Sequence, residues 1–479
     1  MAEVNSFYLG TFIVYLLIVL AIGVWGYTKT SDVMDFWAFG KDMGPWLATW
    51  SFVANFVSAV SVIGFIGAVY GGGYSLMTHT IFGLMLGTSA LYFAVDRVRN
   101  LDLLTFPDII ASVTGYEIAR PIAGVVLLGN GWLYLIMQLV GASLLVTTIT
   151  GVPYEYMVWV IGIVFIAYTV LGGLVSVAWT DFLQGTLMVG AVLLSLGYMV
   201  FDLGGFTTIN QQFAMLDSSY VHPTSEGAYT AIGIVATIVA FFGTIFTEQN
   251  NIVRIAATRD VKTAKLHLAA GGVILSVFYS ALVLLGGATT VALDSNGLAV
   301  QAQDAAFPTL ITEYVPSSVG IVIILAVMSA ILSTTDTRLH STGITTARDI
   351  YSYFRPDASD DSQLRVSRAA TIVFGLAATA AAVNPPGTII ELYNFRAVLL
   401  TSAFLIPVYF GLYWVGLSGR AILISVTAGA ILGVGTELTG GLFGIPSTFI
   451  GVGTATLVLL ISHIILPGTE PKGGATVND

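Results

Sequence analysis

A polytopic bundle of transmembrane α-helices is the fold class this sequence predicts, and three observations carry it. Of 479 residues, 56% are hydrophobic and 9% charged, with a mean hydropathy of +0.88, whereas soluble domains carry roughly 25% charged residues. The apolar residues fall into blocks of roughly 20, the length that crosses a hydrocarbon core as helix. These blocks recur to the C-terminus, without the short alternating segments of about ten residues that mark a barrel strand.

Thirteen spans are predicted, at about 7–28, 44–69, 74–95, 121–149, 153–174, 179–202, 230–252, 265–292, 317–347, 367–384, 388–414, 419–437 and 447–466. The first has no basic residue before it and no small-residue cleavage pattern after it, so it reads as a retained span rather than a signal peptide. Lys and Arg test the count, because they gather in cytoplasmic loops. Lys29 and Lys41 follow span one; Arg97, Arg99 and Arg120 follow span three; Arg254, Arg259, Lys262 and Lys265 follow span seven; Arg348, Arg355, Arg365 and Arg368 follow span nine; Arg420 and Lys472 complete that side. The opposite loops at 203–229 and 293–316 contain neither residue. The expectation is a multi-pass plasma-membrane protein with its N-terminus outside, a single transmembrane domain over 1–466 and a short cytoplasmic tail at 467–479.

Spans two to six and seven to eleven form two sets of five with opposite orientation, about 44–202 and 230–414, which is inverted-repeat geometry. Its physical signature is a discontinuous helix at matching positions, since unwound backbone is tolerated only where it lines a cavity. Span two carries Ser58, Ser61 and Gly64 at mid-membrane, and span seven carries Gly243-Thr244 followed by Thr247-Glu248-Gln249-Asn250-Asn251.

The strongest polar cluster inside an apolar run is Ser329-Ala-Ile-Leu-Ser333-Thr334-Thr335-Asp336 in span nine. The Ser333 and Thr334 hydroxyls with the Ala330 carbonyl can supply three oxygens to a hard cation; equally, such hydroxyls bond back to the preceding turn or join helices. Ionisable residues at membrane depth cost of order 3 kcal/mol or more, which singles out Asp181, Glu248, Asp336, Arg338 and Arg396. Asp181 reads either as a helix N-terminal acid or as a group on an ion path. Asp336 and His340 are one turn apart and can pair locally. Arg396 can bind a solute carboxylate or pair with Glu391 or Glu248. No cysteine, metal-ligand spacing, phosphate loop, ATP-hydrolysing motif or catalytic constellation is present. An enzyme is therefore not expected, and an ion gradient is the natural energy source.

At this point the residues resemble a known family. Gly172-Gly173-Leu-Val-Ser-Val-Ala-Trp179-Thr180-Asp181-Phe-Leu-Gln184 is similar to the signature of the sodium:solute symporters. It is joined by Gly44-Pro45-Trp46, by Asn251-Ile-Val-Arg254-Ile-Ala-Ala-Thr-Arg259-Asp260 with Lys265, and by Ala330-x-x-Ser333-Thr334 with Asp349-Ile-Tyr351. The resemblance spans about 7–466. It implies the leucine-transporter fold, alternating access and sodium as transported co-substrate, with no organic cofactor. It places sodium at the carbonyls of Ala54, Val57 and Ala330 and the hydroxyls of Ser333 and Thr334, with Asp181 near the ion's release; Asp336, an acid unusual for the family at this place, is added to the ion path from its depth in span nine and leaves an additional ion open. It places the solute beside the two helix breaks, with Phe56, Ser58, Ser61, His79, Thr80, Glu248 and Gln249 as contacts, to which Arg396 is added from its own charge and depth. Phe56-Val-Ser58-Ala-Val-Ser-Val-Ile-Gly64 and Asp96-Arg97-Val-Arg99-Asn100-Leu with Thr105-Phe106 are similar to the acetate and monocarboxylate branch. The expected partners are a small carboxylate such as acetate, sodium and the lipid bilayer, with neither nucleic acid nor an obligate protein partner. Glu248 and Asp336 leave a cationic or zwitterionic solute open, proline, pantothenate and sugar symporters are the alternatives within the family, and a transporter-like sensor is the alternative outside it.

Overall fold

The computed structural model describes residues 9–10, 13–18, 20–21, 24, 43–100, 105–222 and 230–466, and within these the side chains of 76–78, 100, 168, 171–180, 183 and 318 lie outside the description. Most of span one, Lys29, Lys41 and the tail at 467–479 fall outside the described residues. The described residues are almost entirely helical, because a helix satisfies every backbone donor and acceptor within one segment and a bilayer offers no water to do so. Ten helices are long and apolar enough to cross a membrane, and an eleventh span is the pair Pro45–Phe56 and Val60–Gly72, bent by 51°. The shorter apolar helix Tyr154–Ala167 is span five.

Spans five and six share one uninterrupted helical pattern from Tyr154 to Asp202, which at 1.5 Å per residue is about 70 Å of helix and more than twice a hydrocarbon core. Both ends nevertheless reach the same face. The Tyr154 hydroxyl donates to the Ala382 carbonyl at 2.8 Å, at the end of the helix Asp360–Val383. Asp202 accepts from Tyr314 in the loop before span nine. Between them, Gly162 lies against Thr379 so closely that a Cβ would sit 2.3 Å from its hydroxyl, while Asp181 meets Arg254 inside the bundle. The chain therefore doubles back between Gly162 and Asp181 as the two predicted spans require.

The basic loops meet on one face: Lys265 pairs with Asp96 at 2.5 Å, Arg99 donates to the Thr258 carbonyl at 3.0 Å, and Arg120 and Arg348 both reach Asp108. Loops without Lys or Arg meet on the other. There the Gln303 carbonyl occupies the space beside Gly67 that any larger residue would fill, and Asp304 accepts from the Ile389 amide at 3.0 Å, at the start of span eleven. Glu391 closes a capping box with Thr388, so this acid serves its own helix and not Arg396.

Both predicted discontinuities are present. The first helix of span two ends at Phe56, Val57 is extended (φ −87°, ψ 112°), and a π-helical turn follows at Val60–Gly64. In span seven the helix Ala231–Thr247 runs through Gly243 and Thr244 and breaks only at Glu248 (φ −71°, ψ 117°), after which Gln249–Ala257 resumes. That late break carries span seven to Ala257. Arg254, assigned from sequence to the loop beyond, is instead 2% exposed within the bundle.

Candidate functional site

The break in span two exposes carbonyls that a continuous helix would use itself. Two of them, Ala54 and Val57, point to span nine, where the Thr334 hydroxyl lies 3.3 Å from the first and 2.9 Å from the second. The same hydroxyl is 3.0 Å from the Ala330 carbonyl one turn earlier. Ser333, its neighbour, donates to Oδ1 of Asp181. The Thr334 hydroxyl is thus surrounded by the carbonyls of Ala54, Val57 and Ala330, while Ser333 turns its hydroxyl to Asp181. Three carbonyls and two hydroxyls make an all-oxygen set, the donor chemistry of a hard cation.

Asp181 is fully buried and its Oδ2 accepts from Ser51 at 2.7 Å and Arg254 at 2.9 Å, while Arg254 Nε donates to Ser51 at 2.9 Å. It is therefore neither a helix-terminal acid nor a lone charge. Asp336 and His340 are both buried on span nine.

Around the second break the chemistry is ionic. Glu248 gives Oε1 to Arg338 of span nine and Oε2 to Arg396 of span eleven, the latter at 2.5 Å. Both guanidiniums lie over the Tyr134 ring of span four, at 4.2 and 4.7 Å, an arrangement that favours cations on a desolvated aromatic face. Arg396 Nε donates to Asn130 at 2.8 Å. Arg338, left unassigned by the sequence, is thereby drawn into the same cluster as Arg396. A small pocket of about 20 Å³ adjoins the pair, lined by Gln249, Asn250, Ser341, Thr342 and Thr345.

The two breaks are also wired together. Asn55 donates to Asn251 at 3.3 Å and accepts from Asn250 at 3.2 Å. The Tyr134 hydroxyl donates to Ser58 at 3.1 Å, and Gln138 accepts from the Ala59 amide at 3.1 Å. Ser61 donates to the Phe56 carbonyl, which also accepts from Tyr279 at 3.0 Å, and Gln249 donates to Thr345 at 3.0 Å. Of the expected solute contacts, Phe56, Ser58, Ser61, Glu248, Gln249 and Arg396 border the breaks. His79 and Thr80 are buried in the first turns of the helix Ser75–Asn100, near the face without basic loops. Sequence reading missed Asn130, Tyr134 and Gln138; their i, i+4, i+8 spacing, one face of span four, was the available signal.

A model of the sodium:solute symporter family matches residues 36–429. A sodium/proline symporter of Staphylococcus aureus (strain bovine RF122 / ET3-1) is 27% identical over 88% of this chain and 83% of its own length. The high-affinity proline transporter PutP of Bacillus subtilis (strain 168) is 27% identical over 86% of this chain and 88% of its own. Among solved structures, a substrate-bound, outward-open Na+-coupled sialic acid symporter superposes with a TM-score of 0.81 at 18% identity, covering 97% of this chain and 98% of that one. Mhp1, a nucleobase-cation-symport-1 family transporter in a closed conformation, gives 0.54 at 12%, covering 90% and 93%. The structural likenesses speak to fold, that of sodium-coupled symporters with an inverted five-helix repeat. With the family model spanning most of its length, the chain belongs to the sodium:solute symporter family, a membrane transporter and not an enzyme, with sodium as its co-substrate.

Proposed function

We propose that this chain imports a small organic carboxylate, acetate being the first case, by alternating access driven by an inward sodium gradient across the plasma membrane. The observation that carries the ion half is the Thr334 hydroxyl among the carbonyls of Ala54, Val57 and Ala330. Sodium sits among these oxygens, bound by the lone pair of the Thr334 hydroxyl, which keeps its proton and turns it aside, with the Ser333 oxygen as fifth ligand once it turns from Asp181. Because the ligands come from both span two and span nine, the ion holds the two elements together and favours one conformation over another. Asp181 and Asp336 line the ion path toward the face with the basic loops, which is the cytoplasmic face by the charge rule, leaving the N-terminus outside. The solute lies between the breaks, against Phe56, Ser58, Ser61, Glu248, Gln249 and Arg396, with His79 and Thr80 on its entry side.

A second reading, a zwitterion such as proline, draws on Glu248, an acid able to take an ammonium beside guanidiniums that take a carboxylate. The sodium/proline symporters among the relatives favour it as well. Uptake of labelled acetate and labelled proline into proteoliposomes, with and without an inward sodium gradient, separates the two. Gradient-dependent accumulation of acetate is expected. Accumulation of proline alone replaces the first reading by the second, and accumulation of neither refutes both.

A further inference from the structure

The ion pairing at the second break is unbalanced. Glu248 offers one carboxylate to two guanidiniums, and among the described residues no second acid pairs with Arg338 or Arg396. The three side chains are 2%, 5% and 2% exposed, so the trio's surplus positive charge is shut away from water, with no acid but Glu248 bonded to either guanidinium among the described residues and with the buried Asp336 two positions from Arg338 on the same helix. Arg396 has a neutral partner for its Nε in Asn130. The Nε of Arg338 is buried with no hydrogen-bond partner and belongs to a residue that lines the polar pocket beside the pair. An unfilled guanidinium donor, a trio with one more guanidinium than carboxylate and a small hydroxyl- and amide-walled pocket of about 20 Å³ describe a seat for one carboxylate that displaces the Glu248 oxygen from Arg338, since a guanidinium and a carboxylate match as two parallel hydrogen bonds.

We propose that Arg338 is the primary receptor of the solute carboxylate and that Glu248 is its internal stand-in. In the empty transporter Glu248 bridges both arginines. An arriving carboxylate takes Arg338, Glu248 keeps Arg396, and the cluster becomes neutral. The exchange has a mechanical consequence, because the bond from Glu248 to Arg338 ties the break of span seven to span nine. Its release lets the broken span move against the helix that carries the ion-binding hydroxyls. Arg338 also rests on Tyr134, whose hydroxyl holds Ser58 beside the Val57 carbonyl, so the exchange reaches the first break too. Arg338 is thus a specificity-determining residue that admits carboxylates and rejects their neutral isosteres.

This inference rests on the carboxylate reading of the solute, and the full-length protein in proteoliposomes tests the two apart. In the wild type, unlabelled acetate is expected to compete with labelled acetate, and acetamide to fail by a factor of about ten or more, the worth of a charge-assisted pair. Arg338→Met leaves Glu248 and Arg396 as a balanced pair. It is expected to weaken acetate competition about tenfold or more while keeping the sodium-induced rise in thermal unfolding midpoint, which certifies the fold. Glu248→Gln is expected to bind acetate more tightly and turn over more slowly, because the competitor is gone and so is the return bond. Unchanged acetate affinity in Arg338→Met with the sodium response intact overturns the assignment, as does weaker binding in a folded Glu248→Gln. If proline is the solute, the same variants are read with proline against prolinamide. Wild-type protein that accumulates neither carboxylate removes the underlying reading and this one together.

Discussion

The two helix breaks occupy matching places in opposite-facing repeats, yet their chemistry has diverged. At Val57 the break is lined by carbonyls and hydroxyls, and the charge nearest to it, Asp181, is neutralised by Arg254 at 2.9 Å. At Glu248 the break is ionic, with one carboxylate held by two arginines from different spans. A single backbone device, the interrupted helix, therefore presents unused carbonyls in one repeat and a charged side chain in the other. The difference teaches that the fold supplies the opening while side chains decide which sign of ligand suits it. Neutral oxygens fit a small cation without further charge, whereas a surplus guanidinium fits an anion.

Each half of that contrast can be broken separately. The largest effect is expected from Arg254→Met, which leaves Asp181 as a buried acid without its cation. Removing one partner of a buried pair costs about 3–5 kcal/mol, so the unfolding midpoint in detergent should fall steeply, and adding Asp181→Asn should recover most of the loss. A double variant no more stable than the single one would show that the pair does not keep the first break neutral. Next is Ser333→Ala with Thr334→Ala, which removes two of the five proposed oxygens. The sodium concentration for half-maximal uptake should rise about tenfold or more, and an unchanged value would take both hydroxyls out of the ion site.

Tyr134→Phe gives a smaller effect aimed at the link between the breaks. It deletes one buried hydrogen bond, worth about 1 kcal/mol, while leaving the ring beneath the guanidiniums. Solute affinity at saturating sodium should drop by a few fold and at low sodium hardly at all; an equal drop in both would make Tyr134 a simple contact. The smallest is a pH effect at the face without basic loops. Burial pushes the Asp304 carboxyl up to about 6, with nearby Glu391 adding to the rise and the Ile389 amide opposing it, against 3.8 for an ordinary Asp; the Tyr154 phenol faces it as well. The folded state thus holds this proton more tightly than the unfolded state. The stability it contributes is complete below pH 3.8 and is lost as pH rises to about 6. Asp304→Asn should remove that part of the slope, and an identical pH profile would exclude Asp304 as its source.

Much of this was legible in the sequence because the bilayer restricts the choices. Apolar blocks, the one-sided distribution of Lys and Arg and the small or polar residues at Ser58 and Thr247 were sufficient for both breaks and for the approximate run of spans among the described residues. Ser333 and Thr334 stood out as hydroxyls interrupting an apolar run, but Ala54 and Val57, whose carbonyls lie against Thr334, were offered only by the family resemblance. The ionic cluster was only half legible. Glu248, Arg338 and Arg396 are each anomalous, but they lie 90 and 148 positions apart, and no local spacing says which acid meets which base. Arg396 had two candidate partners, and helix capping by Thr388 removes Glu391 from the choice. Arg254 was misplaced because a hydropathy window cannot see that a break lengthens span seven by a full turn. Tyr134 and Asn130 resembled ordinary polar residues of a buried helix until the third dimension brought the arginines over them.

The measurement that bears most directly on the coupling of the two sites is reciprocity. Acetate affinity is determined at low and at saturating sodium, and sodium affinity with and without saturating acetate, on the same purified protein. If the two breaks act as linked ion and carboxylate sites, each ligand tightens the other by the same factor, greater than one, as linkage requires. Tight binding of both ligands with a factor of one would contradict the coupling, and with it the reading of this chain as a sodium–carboxylate symporter.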